Sequence, residues 1–346
     1  MPEVLSQEPQ VPRAPTVIGP KTKTARRPTD PLPQYLIDEA KLTERIDFNS
    51  DQHLNFEPPA HVTTMKDLGL EGHGISPIAV SEPFPLFTAE AIQQIRAEVF
   101  SDDVLRDCQY TSDFSKNMIR GMGTARASFT YAAWNSPELI SGISKVAGID
   151  LVPSFDFEIA NINISVNKPA PADRAREDPM VEDNDLPAFA WHYDSFPFVC
   201  VVMLSDCTDM IGGETALRTA HGDILKVRGP AMGTAVVMQG RYIEHQALKA
   251  LGGRERISMV TCFRPKSPHV RDETVLTGVR GISNRSELYT QYTEYRLEIL
   301  EERIRAKAKA ERCRELAKKP FDTAEMRVWL TEQKEFVESM IDELTD

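Results

Sequence analysis

The chain has 346 residues, with 40 basic against 52 acidic side chains and a net charge of −12. That length buries a sizeable core in one large or two modest domains, and the acidic balance sets up no overall positive field for a phosphate backbone, which argues against a nucleic-acid partner. Cys108, Cys200, Cys207, Cys262 and Cys313 are scattered without a Cys-x-x-Cys pair and read as reduced thiols. No apolar stretch is long enough to span a bilayer or to serve as a secretory leader, so the expected location is the cytoplasm, away from the membrane.

The first fifty residues are proline-rich and are expected to be mobile or draped over the surface. Lys21, Lys23, Arg26 and Arg27 read there as charges on a solvated tail rather than a nuclear address. From Ser81 the chain becomes foldable. Thr88 is placed to cap a helix in which Ile92, Ile95 and Val99 recur at helical spacing, and a second helix is expected around Ser136 to Val146. Between them the glycines of Met118 to Phe129 predict a loop. Its Arg120 and Arg126 have two readings: carboxylate ligands for a substrate over a cavity mouth, or solvated surface cations.

The segment Phe157 to Asn167 alternates amide or hydroxyl side chains with apolar ones, as a strand with one polar and one packed face does. Asn163, on the polar face, is a candidate to hydrogen-bond a ligand. Residues 168 to 187 are charged and proline-rich and form a candidate lid. Trp191-His192-Tyr193-Asp194 follows, and on an extended strand His192 and Asp194 point to one side because side chains alternate. Phe196 to Ser205 is continuously apolar, which predicts a strand buried on both faces. Met210 to Arg218 is a glycine-punctuated entry into another strand, and His221-Gly222-Asp223 is a turn.

Val236 to His245 then brings a second imidazole. Two imidazoles and one carboxylate fill one face of an octahedral metal and leave three positions open, the arrangement of the non-haem Fe(II) oxygenases. After a Gly252-Gly253 turn comes a strand on which Arg254, Arg256 and Ser258 share a face. An arginine there suits a carboxylate ligand, since its planar fork donates two parallel hydrogen bonds and stays charged. Strand parity does not separate Arg254 from Arg256, and a surface salt bridge is the alternative role for either.

Two helices close the chain. Leu288, Tyr292, Tyr295, Ile299 and Ile304 line the first, which runs out into the charged segment Arg305 to Lys309. Asp322 and Glu325 make a capping box for the second, whose apolar stripe runs through Met326, Trp329, Leu330, Phe336, Val337, Met340, Ile341 and Leu344. The stripe predicts packing on the barrel or on the partner helix; a homodimer interface is the sharper reading. The expected organisation is an irregular segment at 1–80, a helical buttress at 81–150, a β core at 151–270 and C-terminal helices at 271–346.

On His192, Asp194, His245 and Arg256-Ile257-Ser258, residues 155 to 265 resemble the Fe(II)/2-oxoglutarate-dependent dioxygenase superfamily. Within it the chain looks most like the fungal members of specialised metabolism, the kind that forms an aziridine from L-valine among them. The resemblance implies a mainly β core with helical flanks, built as a double-stranded β-helix (jelly roll, cupin-like). It implies His192, Asp194 and His245 as ligands of Fe(II), and Arg256 with Ser258 as the grip on the distal carboxylate of 2-oxoglutarate, with O2 as oxidant. Arg256 is preferred to Arg254 on its spacing from His245 and the serine that follows. The retained carboxylate of Asp194 argues against halogenation, which needs that position open. A small molecule, an amino acid or natural product, is the implied substrate, and hydroxylation, desaturation or ring closure the implied outcome. A 2-oxoglutarate-independent iron oxidase on this fold and a non-catalytic metal-binding interaction protein are the rival readings.

Overall fold

The computed structural model describes residues 12–113, 115–166, 190–208, 210–227, 231–251 and 253–346; the candidate lid at 168 to 187 lies outside them. In chain order the helices are α1 (Gln34–Glu39), α2 (Ser50–His53), α3 (Ala89–Val99), α4 (Asp102–Asp107), α5 (Ser128–Trp134), α6 (Pro137–Ala147), α7 (Arg285–Leu316) and α8 (Thr323–Glu343). The strands are β1 (Val62–Thr64), β2 (Ile78–Ser81), β3 (Phe84–Pro85), β4 (Gln109–Tyr110), β5 (Met118–Ile119), β6 (Leu151–Pro153), β7 (Asn161–Val166) and β8 (Phe198–Met203). They continue with β9 (Ile211–Gly212), β10 (Thr215–Arg218), β11 (Ile224–Val227), β12 (Thr234–Met238), β13 (His245–Ala247), β14 (Ala250–Leu251) and β15 (Glu255–Pro265).

The core is antiparallel β with helices around it. A large sheet runs β1-β2-β12-β8-β15-β7-β5-β4, with β3 on β12 and β6 on β15, and a smaller one runs β11-β10-β13. An antiparallel bridge between His192 and His245 extends the smaller sheet by one segment. β15 is the spine of the large sheet: Ser258 stands opposite Asn163 on β7 and Met203 on β8, and Val260 opposite Asn161 and Val201. Among the described residues no helix is long and apolar enough to cross a membrane.

Local chemistry explains the helical flank. The Thr88 hydroxyl accepts from the Ala91 amide and starts α3, and Ser136 caps α6 with Pro137 in its first turn. Gly148 ends α6 at φ 69°, a left-handed cap that costs a glycine little. Ile92, Ile95 and Val99 of α3 and Leu139, Ile143 and Val146 of α6 are buried with Phe198, Val202 and Ile257 of the large sheet, so these helices buttress it.

Two expectations need correction, and one is extended. The strand expected from Phe157 begins at Asn161, because Asp156–Glu158 is a 3-10 turn and Ala160 takes φ 55°. The first closing helix runs through the charged segment Arg305 to Lys309, as expected, and extends beyond it to Leu316, carried by intrahelical pairs such as Lys307–Glu311 and Arg305–Glu301. The stripe of α8 is only partly covered: Phe336 and Met340 are buried, whereas Leu330, Val337, Ile341 and Leu344 are exposed, as is Ile304 of α7. The N-terminal residues from Pro12 are tied down. Arg241 and Arg271 donate to the Pro15 and Pro12 carbonyls, Thr22 bonds Asp113, and Arg26 bridges Thr111.

Candidate metal centre

His192 and His245 face each other across their bridge, each backbone amide donating to the other's carbonyl at 2.9 and 3.0 Å. Backbone carbonyls also fix both rings. His192 Nδ1 lies 2.8 Å from the Ala190 oxygen and His245 Nδ1 lies 2.9 Å from that of Ile243, so both Nε2 atoms are left free as acceptors. They converge on Asp194, whose Oδ1 is 3.6 Å from His192 Nε2 and 3.5 Å from His245 Nε2. One ligand atom from each residue falls within 4.8 Å of the others.

Asp194 is held by its own backbone, which donates to the Gly240 carbonyl at 2.9 Å. A Cβ on Gly240 would lie 1.9 Å from Asp194 Oδ2. Glycine is therefore required beside the carboxylate for steric reasons and not for its φ. Burial works to raise the Asp194 carboxyl, yet the imidazoles of His245 and His192 outweigh it and hold the group well below the usual carboxylate range. For His192 burial pulls down and Asp194 pulls up, with a net rise. Ligand atoms sharing one face of an octahedron at about 2.1 Å from a metal lie about 3 Å apart. The donor set thus fits a divalent transition metal after small side-chain adjustments, with the imidazoles neutral and the carboxylate ionised.

The triad opens into a cavity of about 240 Å³ whose opposite wall is the large sheet. Arg256, Ser258, Val260 and Cys262 of β15 line it, together with Asn161 and Asn163 of β7, Val199 and Val201 of β8, and Met238 of β12. Arg256 is half-buried, desolvation lowers its pKa, and among the described residues its covered Nε has no hydrogen-bond partner. The contact from its Nη1 to Ser258 Oγ is long, at 3.5 Å. Among the described residues no carboxylate pairs with it. Arg254, two positions earlier, lies outside the cavity: it pairs with Glu39 and Glu255 and covers the Tyr35 ring at 4.2 Å.

Of the two loop arginines, Arg120 reaches the cavity and Arg126 does not. Arg126 bonds Asp107 at 3.1 Å near the surface. Arg120 Nη2 donates to Glu158 Oε1 at 2.5 Å, with side-chain exposures of 7% and 1%, so this cation is deeply buried and paired. Burial pushes the Glu158 carboxyl up, while Arg120, Cys262 and Asn161 pull it back; the net direction is upward.

Sequence reasoning passed over Glu158, Asn161, Cys262 and Gly240. Asn161 shares the polar face of the alternating run with Asn163, whereas Glu158 has the parity of the packed face, and nothing local signals the turn and the left-handed Ala160 that direct it inward. Gly240 is legible as a glycine between two strands, but nothing local tells that a carboxylate 46 residues earlier (240 − 194) leans on it.

No protein-family model matches the chain, and no curated protein sequence matches it. Comparison of folds finds solved structures it is similar to. One is an oxidoreductase of the 2OG-Fe(II) oxygenase family from Burkholderia pseudomallei, at 14% identity and a TM-score of 0.31 over 42% of this chain; the chain spans 65% of that protein. Another is a prolyl-4-hydroxylase from Pseudomonas putida, at 19% identity and 0.32 over 61% of this chain and 98% of that one. A third is the non-heme alpha ketoglutarate dependent carbocyclase SnoK of nogalamycin biosynthesis, at 12% identity and 0.39 over 60% and 88%. Superpositions this loose say nothing of the chemistry of the site, which rests on its own geometry.

Proposed function

We propose that the chain is a non-haem Fe(II)/2-oxoglutarate-dependent oxygenase that activates a C–H bond of a small molecule, an amino acid or natural product, and releases succinate and CO2. The observation that carries this reading is the pairing of two features in one cavity: a His192–Asp194–His245 cluster with ligand atoms within 4.8 Å, and a half-buried arginine, Arg256, whose covered Nε has no hydrogen-bond partner and which has no carboxylate partner among the described residues. An unpaired, partly buried guanidinium is costly unless an anion completes it.

Strand order supports a double-stranded β-helix. The large sheet contains β7-β15-β8-β12, and the smaller sheet contains the His192 segment, β13, β10 and β11. With the His192 bridge counted beside the three-stranded sheet, that order is what a double-sheet jelly-roll closure would have.

His192, Asp194 and His245 would hold Fe(II). Bound there with 2-oxoglutarate and O2, the metal supplies the oxidising power for an unactivated C–H bond. Arg256 and Ser258 would take the distal carboxylate of 2-oxoglutarate, with Asn163, opposite Ser258 across the β7/β15 pair, as a further hydrogen-bonding group. The apolar side chains Val199, Val201, Val260 and Met238 keep water from the reacting carbon. Hydroxylation is the default outcome, with desaturation or ring closure as variants of the same hydrogen abstraction. Exposed Leu330, Val337 and Ile341 on α8 support a homodimer through the C-terminal helices, which the mass in solution checks.

Anaerobic addition of Fe(II) and 2-oxoglutarate tests the reading. The weak visible charge-transfer band of the chelate is expected in the wild type and lost in His192→Ala/Asp194→Ala; no band in the wild type overturns the assignment. Oxygen uptake that proceeds without 2-oxoglutarate points instead to an oxidase on this fold, and a bound chelate that never yields succinate points to a non-catalytic protein.

A further inference from the structure

The cavity has two charged ends on one strand. Arg256, Ser258, Val260 and Cys262 all face it from β15, and three two-residue steps of a strand put Arg256 and Cys262 about 20 Å apart. At the Cys262 end, the 3-10 turn before β7 directs Glu158 inward. Its carboxylate accepts from Arg120 Nη2 at 2.5 Å, from Asn161 Nδ2 at 2.9 Å and, weakly, from Cys262 Sγ at 3.6 Å. Three donors aimed at two oxygens is the environment of an ionised acid.

Burial pushes the Glu158 carboxyl up, and the Arg120 guanidinium in contact with it at 2.5 Å opposes that push, so the two residues are set against each other as a buried charge pair. A buried ion pair adds little stability over apolar groups of the same volume. In a cavity wall it has another consequence, because it decides which charges enter. A ligand carboxylate approaching Arg120 meets Glu158, a ligand ammonium approaching Glu158 meets Arg120, and a low-dielectric surrounding screens neither repulsion. Arg120 Nε and Asn161 Oδ1, a donor and an acceptor, have no hydrogen-bond partner among the described residues; both atoms are covered in this structure, and a small shift of the side chains over them is what would offer them to a ligand. Arg256, by contrast, has no carboxylate partner among the described residues, which suits it to an anion.

We infer that the Arg120–Glu158–Asn161 end of the cavity binds a compact substrate of no net charge that offers a hydrogen-bond donor and acceptor together, and that Glu158 excludes carboxylates from it. This deepens the proposed function and rests on it, since the substrate is assigned to the end of the wall opposite the 2-oxoglutarate grip. It also replaces the reading of Arg120 as a free carboxylate clamp. A volume of about 240 Å³ for both molecules keeps the substrate small.

Three probes on one branched four-carbon skeleton test the charge rule: isobutyramide, isobutyrate and isobutylamine, titrated calorimetrically into the anaerobic Fe(II)·2-oxoglutarate protein. The wild type is expected to bind the amide at least about tenfold more tightly than either ion. Glu158→Gln, which frees the Arg120 charge, is expected to gain about tenfold for isobutyrate, and Arg120→Met about tenfold for isobutylamine. Should either variant fold poorly, the wild-type ranking alone decides. A wild-type preference for an ion, no amide binding at millimolar concentration, or parallel changes in all three affinities in folded variants overturns the inference. Failure of the iron reading is seen separately, as a missing chelate band before any probe is added.

Discussion

Arg120, buried, and Arg256, half-buried, line the same cavity, and their surroundings set them apart. Arg120 is paired with Glu158 at 2.5 Å, whereas among the described residues Arg256 has a 3.5 Å contact to a serine hydroxyl and no carboxylate partner. The difference teaches that the residue type does not define an anion site; what counts is whether the fold has already provided the anion. Arg254 makes the same point from outside, since it satisfies itself with Glu39 and Glu255 two residues from Arg256.

Removing the centre between the two ends has the largest expected effect. Asp194→Ala should abolish the Fe(II)·2-oxoglutarate band and all succinate formation, because two imidazoles alone leave the metal without its charge-neutralising ligand; a variant that keeps both would break the placement of the site. Next comes the paired end. Glu158→Ala strands the Arg120 charge and should cost about 3–5 kcal/mol of unfolding free energy, read by urea denaturation, while Arg120→Met/Glu158→Leu together should recover most of it. If the double variant is no more stable than the single, the pair is not acting as a desolvated ion pair.

The open end responds in binding rather than in stability. Arg256→Met should weaken 2-oxoglutarate by about 100-fold, or about 3 kcal/mol, through loss of a charge-assisted fork, without lowering the denaturation midpoint. A drop in stability with unchanged 2-oxoglutarate affinity would reverse the roles of the two arginines. Gly240→Ala should reduce Fe(II) affinity by about 10–100-fold, since the added methyl displaces the Asp194 carboxylate 1.9 Å away. Arg254→Ala, the surface control, should change stability by no more than about 1 kcal/mol and leave cosubstrate binding intact, as measured by the same titrations.

Much of this arrangement was legible in the chain. Period-two alternation marked the polar run that contains Asn163, continuous apolarity marked β8, the caps at Thr88 and Asp322 set helix starts that the structure keeps, and the helix expected around Ser136 to Val146 is α6. Those signals are local, each complete within a few residues. Strand parity could not separate Arg254 from Arg256, because the choice depends on Glu39 and Tyr35, which reach Arg254 from α1 and its neighbourhood. Likewise the amphipathic stripe of α8 foretold a helix but overstated its burial, since periodicity says which side chains share a face and not whether anything covers it.

By itself the sequence determined the kinds of donor available: two imidazoles and a carboxylate near one another on extended segments, and arginines beyond them. Only the tertiary structure decided their charges in use. It closed the His192–His245 bridge, set Gly240 against Asp194, and brought Glu158 to Arg120 across a turn that breaks the strand pattern. The physical reason is that side-chain chemistry is a property of the residue, whereas compensation of a buried charge is a property of whatever distant group the packed chain places within about 3–4 Å of it.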